Sequence, residues 1–286
     1  MAKGIAAAPG WPRVDPRPAG AWMRSSLRWA GGWLLAAADT VRRLLAFSLI
    51  TLGVAATRYR SASALIGPLI LQQVATAGLR LLPITAVIAA AMGWAIVGQT
   101  VALLTQVGVQ DLIGVAMVTA VVRELGPLAT ALLVLLRVGV PTVVQLGTAR
   151  ALGEVEALEA LGIDPVLLLV VPRVLGMTVA VFALTAYLVV GALVAGYGFA
   201  FLQDVPLTPG DYFRQLALAL TWQDFLLLGL KAVSFGLVIA LATCFQGLSR
   251  ALELREVAQI TGVAVVASLL GCVVLDALFI VLYLLL

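Results

Sequence analysis

Between Leu81 and Gln110 the chain carries no charged side chain, and uncharged lengths of this kind constrain its fold more than any motif does. About 20 apolar residues suffice for a helix to cross the hydrocarbon core of a bilayer. Hydrophobic residues make up 63% of the 286 residues and charged residues 11%, with a mean hydropathy of +1.12. A water-soluble domain of this size cannot cover so much apolar surface, so we predict an all-α polytopic membrane protein.

Five transmembrane helices account for the apolar stretches. They are predicted at about residues 81–104, 112–147, 165–201, 225–247 and 262–286. As a single helix the second stretch would be about 54 Å long, which exceeds a simple crossing. Pro127 and Pro141 are therefore expected to kink or break it.

The N-terminal region is predicted to lie outside these spans. Residues 1–43 form a basic arm with prolines and tryptophans, and tryptophan beside arginine is typical of the lipid headgroup layer. A disordered arm that only touches the membrane is the alternative. Residues 44–64 are predicted to form an interfacial helix, because the apolar run Leu44–Thr57 is short for a span and basic at both ends. A tilted sixth span is the other interpretation of this run.

The positions of the arginines indicate the orientation, since cytoplasmic loops carry an excess of Lys and Arg. The N-terminal arm, the region 148–173 and the loop 248–258 all carry arginines. The 202–224 loop instead carries three aspartates and only Arg214. We therefore expect the N-terminus in the cytoplasm, and the 202–224 loop and the C-terminus outside.

Missing residue types exclude several kinds of chemistry. The chain has no His, which excludes imidazole metal sites and Ser-His triads. It has no G-x-x-x-x-G-K-[ST] phosphate loop, and its only lysines are Lys3 and Lys231. Cys244 and Cys272 lie in apolar runs and are interpreted as small buried hydrophobic residues. We expect no catalytic residue, metal or cofactor in this chain, and no nucleic-acid partner.

The segment GEVEALEALGIDP at 153–165 interrupts the apolar sequence with a short acidic helix. At 100° per residue, Val155 and Leu158 share an apolar face. Asp164 followed by Pro165 is expected to start the third span as an N-cap and a first-turn proline. The acidic residues of the segment are Glu154, Glu156, Glu159 and Asp164. Such a helix can contact a cytoplasmic partner, or it can be a solvated loop helix.

Two stretches resemble a known family when they are taken in order. RELGPLATALLVLLRVG (123–139) and QLGTARALGEVEALEALGIDPVLLLVVPRVL (145–175) are similar to the MlaE/YrbE family of ABC-transporter permeases. The resemblance covers about residues 65–286, which we take as the permease domain. The chain departs from the family at Val140-Pro141, in the region 247–262, and at Gln145, where members usually carry Glu.

The resemblance implies a function, a location and a set of partners. It implies a bacterial inner-membrane permease subunit that moves phospholipid or a related amphiphile, driven by a separate cytoplasmic ATPase. It also implies a second copy of this chain and a periplasmic lipid-binding partner with an MCE domain. The segment matching Gly153–Gly162 becomes the coupling helix that docks on the ATPase. The contact residues implied or expected there are Glu154, Glu156, Leu158, Glu159 and Asp164.

Six charged residues fall inside the predicted spans, where each costs on the order of 3 kcal/mol on insertion scales, and roles are predicted for four of them. Arg123 and Glu124 are predicted to contact substrate, with the guanidinium holding a lipid phosphate, or else to form a structural ion-pair network. Lys231 and Asp276 lie at estimated depths of about 24 and 21 Å from the cytoplasmic side. We predict that these two form an intramembrane pair, which acts either as a structural clamp or as a gating or substrate-contacting pair.

The same four charges leave a different class of function open. An ion-coupled secondary transporter could use them as its relay, although such a machine has no use for a cytoplasmic helix of the 153–163 type. A membrane-embedded hydrolase would have to work with a carboxylate dyad, because histidine is absent. Transport without covalent chemistry in this chain is the function we expect.

Overall fold

A computed structural model describes residues 19–109, 112–202, 208–248 and 256–285. Every regular element in these ranges is helical. The α-helices are α1 (Ala19–Ala77), α2 (Leu82–Met92), α3 (Gly98–Val107), α4 (Ile113–Met117), α5 (Gly126–Val134), α6 (Val140–Ala151), α7 (Glu154–Ala160), α8 (Val171–Leu202), α9 (Pro209–Ala219), α10 (Trp222–Leu248) and α11 (Val257–Leu285). Short π-helical stretches join some of them, at Gly93–Val97, Val118–Leu125, Leu135–Gly139 and Val166–Val170.

Five helical runs are long and apolar enough to cross a membrane, within the described ranges. We number them span 1 (Ile66–Val101), span 2 (Ile113–Ala151), span 3 (Val166–Gly198), span 4 (Trp222–Leu248) and span 5 (Val257–Leu285). This confirms the predicted all-α membrane fold with about five spans.

Some predicted boundaries were wrong. Span 1 begins at Ile66, well before the predicted start at residue 81. Span 2 stays helical through both prolines, because Pro127 and Pro141 each occupy the first turn of an α-helix that follows a π-helical stretch. Proline lacks an N–H, and a first-turn position does not need one. The expected break of this long helix therefore does not occur.

The N-terminal part of the chain separates into a compact unit of its own, residues 1–45, with the rest in a second unit, 46–286. In the first unit the described backbone is helical, and Arg43 Nη2 lies 2.8 Å from Asp39 Oδ2 one turn away. Residues 1–18 of the predicted arm lie outside the described residues. The predicted interfacial segment 44–64 falls within the 59-residue helix α1 and does not end at a separate boundary.

In the second unit α8 is the central helix of the bundle. One buried cluster joins α8 to α5 and α10 through Met177, Val181, Phe235 and Ile239. The approach to α10 is close, since a Cβ at Gly236 would lie only 2.7 Å from Thr178 Cα. A second cluster lies nearer α9. These two clusters hold spans 2, 3 and 4 at fixed positions, which positions the charged residues they carry.

The two connecting helices lie at opposite ends of this bundle, because one follows span 2 and the other follows span 3. Helix α7 lies between span 2 and span 3, and α9 lies between span 3 and span 4. Helix α9 packs on α4, where a Cβ at Gly114 would collide with the backbone of Gln215. We refer below to the α7 end and the α9 end of the bundle.

Large apolar side chains cover much of the outer surface of the bundle. On α11, Val274 and Leu278 are exposed, and Leu284 is 82% exposed. Exposed apolar patches of this extent are unusual on soluble monomers. A lipid environment accounts for them, since lipid tails are as apolar as the side chains themselves.

Candidate functional site

Lys231 lies at the centre of a charged network inside the membrane-spanning part of the bundle. Its side chain is fully buried, and its Nζ lies 2.6 Å from Asp276 Oδ1 and 3.1 Å from Glu124 Oε2. Nζ also donates a hydrogen bond of 2.7 Å to the carbonyl oxygen of Arg123. An ammonium group has three donors, and these three acceptors match that number. Lys231 thus joins spans 2, 4 and 5.

Arg123 extends the same network towards the α9 end of the bundle. Its Nε lies 2.8 Å from Oδ1 of Asp224, a carboxylate that is only 1% exposed. The other oxygen of Asp224 accepts hydrogen bonds from the backbone N–H and the hydroxyl of Thr221. The Asp224 carboxylate therefore caps the start of α10 by accepting both hydrogen bonds from Thr221. The Arg123 guanidinium is therefore held at the N-terminus of α10, where Thr221 in turn fixes the Asp224 carboxylate.

Part of this network is accessible. The side chain of Arg123 is 30% exposed and that of Glu124 28%, whereas Lys231 is fully covered. The Tyr283 ring lies 5.0 Å from the Arg123 guanidinium carbon, in the range of a cation–π contact. The contact with Asp224 is made through Nε, and the guanidinium is partly exposed, so it can also donate to an anion such as a phosphate.

The structure brings all four of the predicted intramembrane residues together. Lys231 contacts Asp276, the partner predicted from depth, and it also contacts Glu124. The prediction that Arg123 and Glu124 act on a substrate was set against a structural ion-pair network, and the contacts are those of such a network with one accessible edge. No contact observed here assigns a substrate to it.

Two members of the network were missed by sequence reasoning. Asp224 was counted among the acids of the 202–224 loop, but it lies in the first turn of α10. The signal that could have found it is the motif Thr221-Trp-Gln-Asp224, which has capping-box spacing directly before an apolar run. Tyr283 carries no comparable signal, because an aromatic residue near the end of a span is commonplace.

Helix α7 confirms the position predicted for the short acidic helix. Glycines with positive φ flank it, Gly153 at 77° and Gly162 at 75°. Both adopt the left-handed conformation that disfavours other residues, so each ends one helical segment sharply. Val155 is buried against the bundle, while Leu161 is 75% exposed.

The acidic side chains of α7 differ in their contacts. Glu156 Oε1 lies 3.4 Å from Nε of Arg150 at the end of α6, which ties α7 to span 2. Glu154 and Glu159 are exposed and form no salt bridge with any described residue. Asp164 Oδ1 accepts a hydrogen bond of 3.0 Å from the Val166 N–H, as expected of the residue that starts span 3. Leu158 is partly buried.

At the other end of the bundle, α9 is anchored by Tyr212. Its hydroxyl donates a hydrogen bond of 3.1 Å to the carbonyl oxygen of Leu193. Burial raises the pKa of the Tyr212 phenol above its ordinary value, so it stays a protonated donor. The ring also packs beside Tyr197 with centroids 5.3 Å apart. This anchor fixes α9 beside the N-terminal end of α10, where Asp224 holds Arg123.

Known proteins are similar to a large part of this chain. A probable ABC transporter permease protein of Synechocystis sp. is 31% identical over 169 residues, which is 57% of this chain and 62% of the relative. A second, from Rickettsia prowazekii, is 27% identical over 70% of this chain and 77% of its own length. The Arabidopsis thaliana protein TRIGALACTOSYLDIACYLGLYCEROL 1, chloroplastic, is 28% identical over 72% of this chain and 59% of its own length. The chain thus spans less than two thirds of the Synechocystis and Arabidopsis relatives.

These relatives favour one class of transporter. Two of the three are named as ABC transporter permeases, which favours that class over an ion-coupled secondary transporter. A permease subunit is a transporter component and not an enzyme. The sequence model of the family described as Permease MlaE matches residues 70–282, which include all five spans almost completely. This chain is therefore a member of the MlaE family of ABC-transporter permeases.

Proposed function

We propose that this permease moves a phospholipid, or an amphiphile with a similar anionic headgroup, between the inner membrane and a periplasmic MCE-type partner. The energy for this movement comes from ATP hydrolysis by a separate cytoplasmic ATPase subunit, which docks on α7. The observation that carries the proposal is Arg123, a partly exposed cation held in place inside the membrane-spanning bundle by a buried acid. The name of the Arabidopsis relative, which contains that of a glycolipid, supports a lipid as cargo.

The network gives Arg123 the properties of a headgroup site. The contacts to Asp224 and Tyr283 fix the guanidinium, so little side-chain freedom is lost when an anion binds. Guanidinium groups bind phosphate through two parallel hydrogen bonds, which are about twice as strong as neutral ones. Glu124 at the same accessible edge adds an acceptor for headgroup hydroxyls or amines, and it shares the cation of Lys231 with Asp276.

Coupling to the ATPase is proposed through α7. The two left-handed glycines and the Arg150–Glu156 contact make α7 a compact projection joined rigidly to span 2. A force applied to α7 therefore moves span 2, and span 2 carries Arg123 and Glu124. Because the ATPase is cytoplasmic and docks on α7, the α7 end of the bundle is cytoplasmic and the α9 end is periplasmic.

Removing Arg123 together with its partner tests the headgroup site. Arg123→Ala alone would leave Asp224 as an unpaired buried acid, and the loss of stability would obscure any loss of binding. Arg123→Gln with Asp224→Asn removes both charges at nearly constant volume. We expect this double variant to fold and to bind phospholipid at the Arg123 site about tenfold or more weakly, seen by native mass spectrometry as the loss of one bound lipid per chain, since a charged hydrogen bond contributes roughly 1.5–3 kcal/mol.

Asp224→Asn alone is the matched control. It keeps the Arg123 cation, and the amide oxygen can still accept from Thr221, but the amide NH2 then faces Arg123 Nε, so bound phospholipid should fall less than in the double variant. Unchanged lipid content in the double variant would show that Arg123 is only structural.

A further inference from the structure

A polar cavity lies near the α7 end of the bundle, away from the Arg123 network. Its volume is about 540 Å³, within the range of about 300–1,000 Å³ typical of small-molecule sites. The walls come from the end of α1, from span 2 around Arg137 and Gln145, and from span 3 around Arg173. More than half of the lining residues are polar, which is unusual for a surface between three membrane-spanning helices.

The cavity contains two cations and no acid. Arg137 and Arg173 both line it, and its lining includes neither Asp nor Glu. Arg173 donates only weakly, through Nη2 to Gln145 Oε1 at 3.3 Å and through Nη1 to the Leu169 carbonyl oxygen at 3.4 Å. Arg137 is exposed and forms no salt bridge with any residue in the described ranges. An unpaired cation at membrane depth needs a counter-charge.

Gln145 is the residue that keeps the cavity cationic. Its side-chain oxygen occupies the place beside Arg173 where a carboxylate of nearly the same shape would neutralise the guanidinium. An amide instead leaves the charge of Arg173 in place and adds an N–H donor. Gln72 and Gln73 on the α1 wall provide further amide donors. Two guanidinium groups and several amides form a set of donors suited to a phosphate group.

The cavity is separate from the Arg123 network. Arg137 follows Arg123 by four turns of the same run of helix, about 21 Å at 1.5 Å per residue. Gln145 and Arg173 lie near the ends of spans 2 and 3 that α7 connects, whereas Asp224 lies at the α9 end. The two cationic positions therefore lie towards opposite ends of the bundle.

We infer that this cavity is a second phosphate-binding site, which takes the headgroup of an anionic glycerophospholipid from the leaflet at the α7 end. Its apolar remainder, which includes Leu69, Leu168 and Leu169, lies where the acyl chains of such a lipid begin. The assignment of that leaflet as cytoplasmic depends on the proposed function, but binding itself does not. A lipid bound in this cavity contacts span 2, which also carries Arg123 towards the other end of the bundle.

Binding of defined lipids to the full-length purified chain tests this inference. The probes are dioleoylphosphatidylglycerol, dioleoylglycerol, which lacks the phosphate, and inorganic phosphate, and the readout is lipid occupancy by native mass spectrometry. We expect phosphatidylglycerol to occupy this cavity as well as the Arg123 site. Dioleoylglycerol should fill neither site, and millimolar phosphate should empty neither. Equal binding of both lipids, or displacement by phosphate alone, would overturn the assignment to a phospholipid headgroup.

Gln145→Glu is the most informative variant, because it changes charge without changing volume. We expect it to weaken phosphatidylglycerol binding at this site about fivefold or more, since a carboxylate beside Arg173 competes with the phosphate. Arg137→Gln with Arg173→Gln should weaken it about tenfold or more. Arg214→Gln, an exposed arginine on α9, is the matched control and should leave it unchanged. Unaltered binding in Gln145→Glu would contradict the inference.

Binding of phosphatidylglycerol in the cavity does not depend on the headgroup site at Arg123. Arg123→Gln with Asp224→Asn should keep the occupancy that depends on Gln145. If that occupancy is lost only in the cavity variants, the second site stands whatever the transport assay shows. If the cavity variants bind normally while Arg123 variants do not, the proposed function stands and the second site fails.

Discussion

Lys231→Met is expected to have the largest effect of any single substitution on the stability of this protein. Methionine fills a similar volume, but it leaves the carboxylates of Glu124 and Asp276 without their shared cation, and it leaves the Arg123 carbonyl oxygen without a donor. Breaking a buried ion pair by removing one partner is expected to cost about 3–5 kcal/mol. The yield of folded, monodisperse protein and its Tm in detergent measure this loss.

Because Lys231 contacts both Glu124 and Asp276, replacing either acid should cost less stability than replacing Lys231. Asp276→Asn and Glu124→Gln each leave Lys231 with one acid, so each should be milder than Lys231→Met. A triple variant that neutralises Lys231, Glu124 and Asp276 together should recover part of the yield, because no lone charge remains. Additive losses across the single and triple variants would contradict a coupled network.

Reversing the two free acids of α7 should abolish co-purification of the ATPase. Glu154 and Glu159 are exposed and make no salt bridge among the described residues, so Glu154→Lys with Glu159→Lys changes the outer face and leaves the Arg150–Glu156 contact in place. Like charges placed opposite each other across an interface cost several kcal/mol. The amount of ATPase retained on the tagged permease measures the effect.

The controls separate docking from folding. Arg214→Glu is a charge reversal on an exposed helical residue at the α9 end, and it should retain the ATPase fully. Glu156→Lys places a lysine beside Arg150 and should lower stability as well as docking. Full retention of a stimulated ATPase by the Glu154/Glu159 variant would show that α7 is a solvated loop helix.

Sequence reasoning succeeded where the evidence was local. Long apolar runs identified the five spans, and the glycines and acids around 153–162 identified α7, because each signal lies within one continuous stretch of sequence. Depth along a helix placed Lys231 and Asp276 at the same level, although the helix ends differ from those assumed: span 5 begins at Val257 and not near residue 262.

Features that depend on how helices rotate against one another were not predictable. Asp224 and Arg123 are a hundred residues apart, and their contact depends on the packing of α9 against α4, as at Gly114. The third partner of Lys231, Glu124, needed the rotation of span 2 to be known. The start of span 1 was missed because the prediction placed the span in the uncharged stretch after Arg80, whereas the apolar helical run extends back to Ile66. Gln72 and Gln73 line a cavity there.

ATP-dependent lipid movement in proteoliposomes tests the central claim most directly. The permease and its ATPase are reconstituted with a fluorescent phospholipid, and lipid transfer between the bilayer and a soluble lipid acceptor is followed with and without nucleotide. The account predicts that transfer requires ATP, is lost in the Glu154/Glu159 variant, and is unaffected when ionophores collapse proton and sodium gradients. Transfer driven by an ion gradient without nucleotide would contradict it.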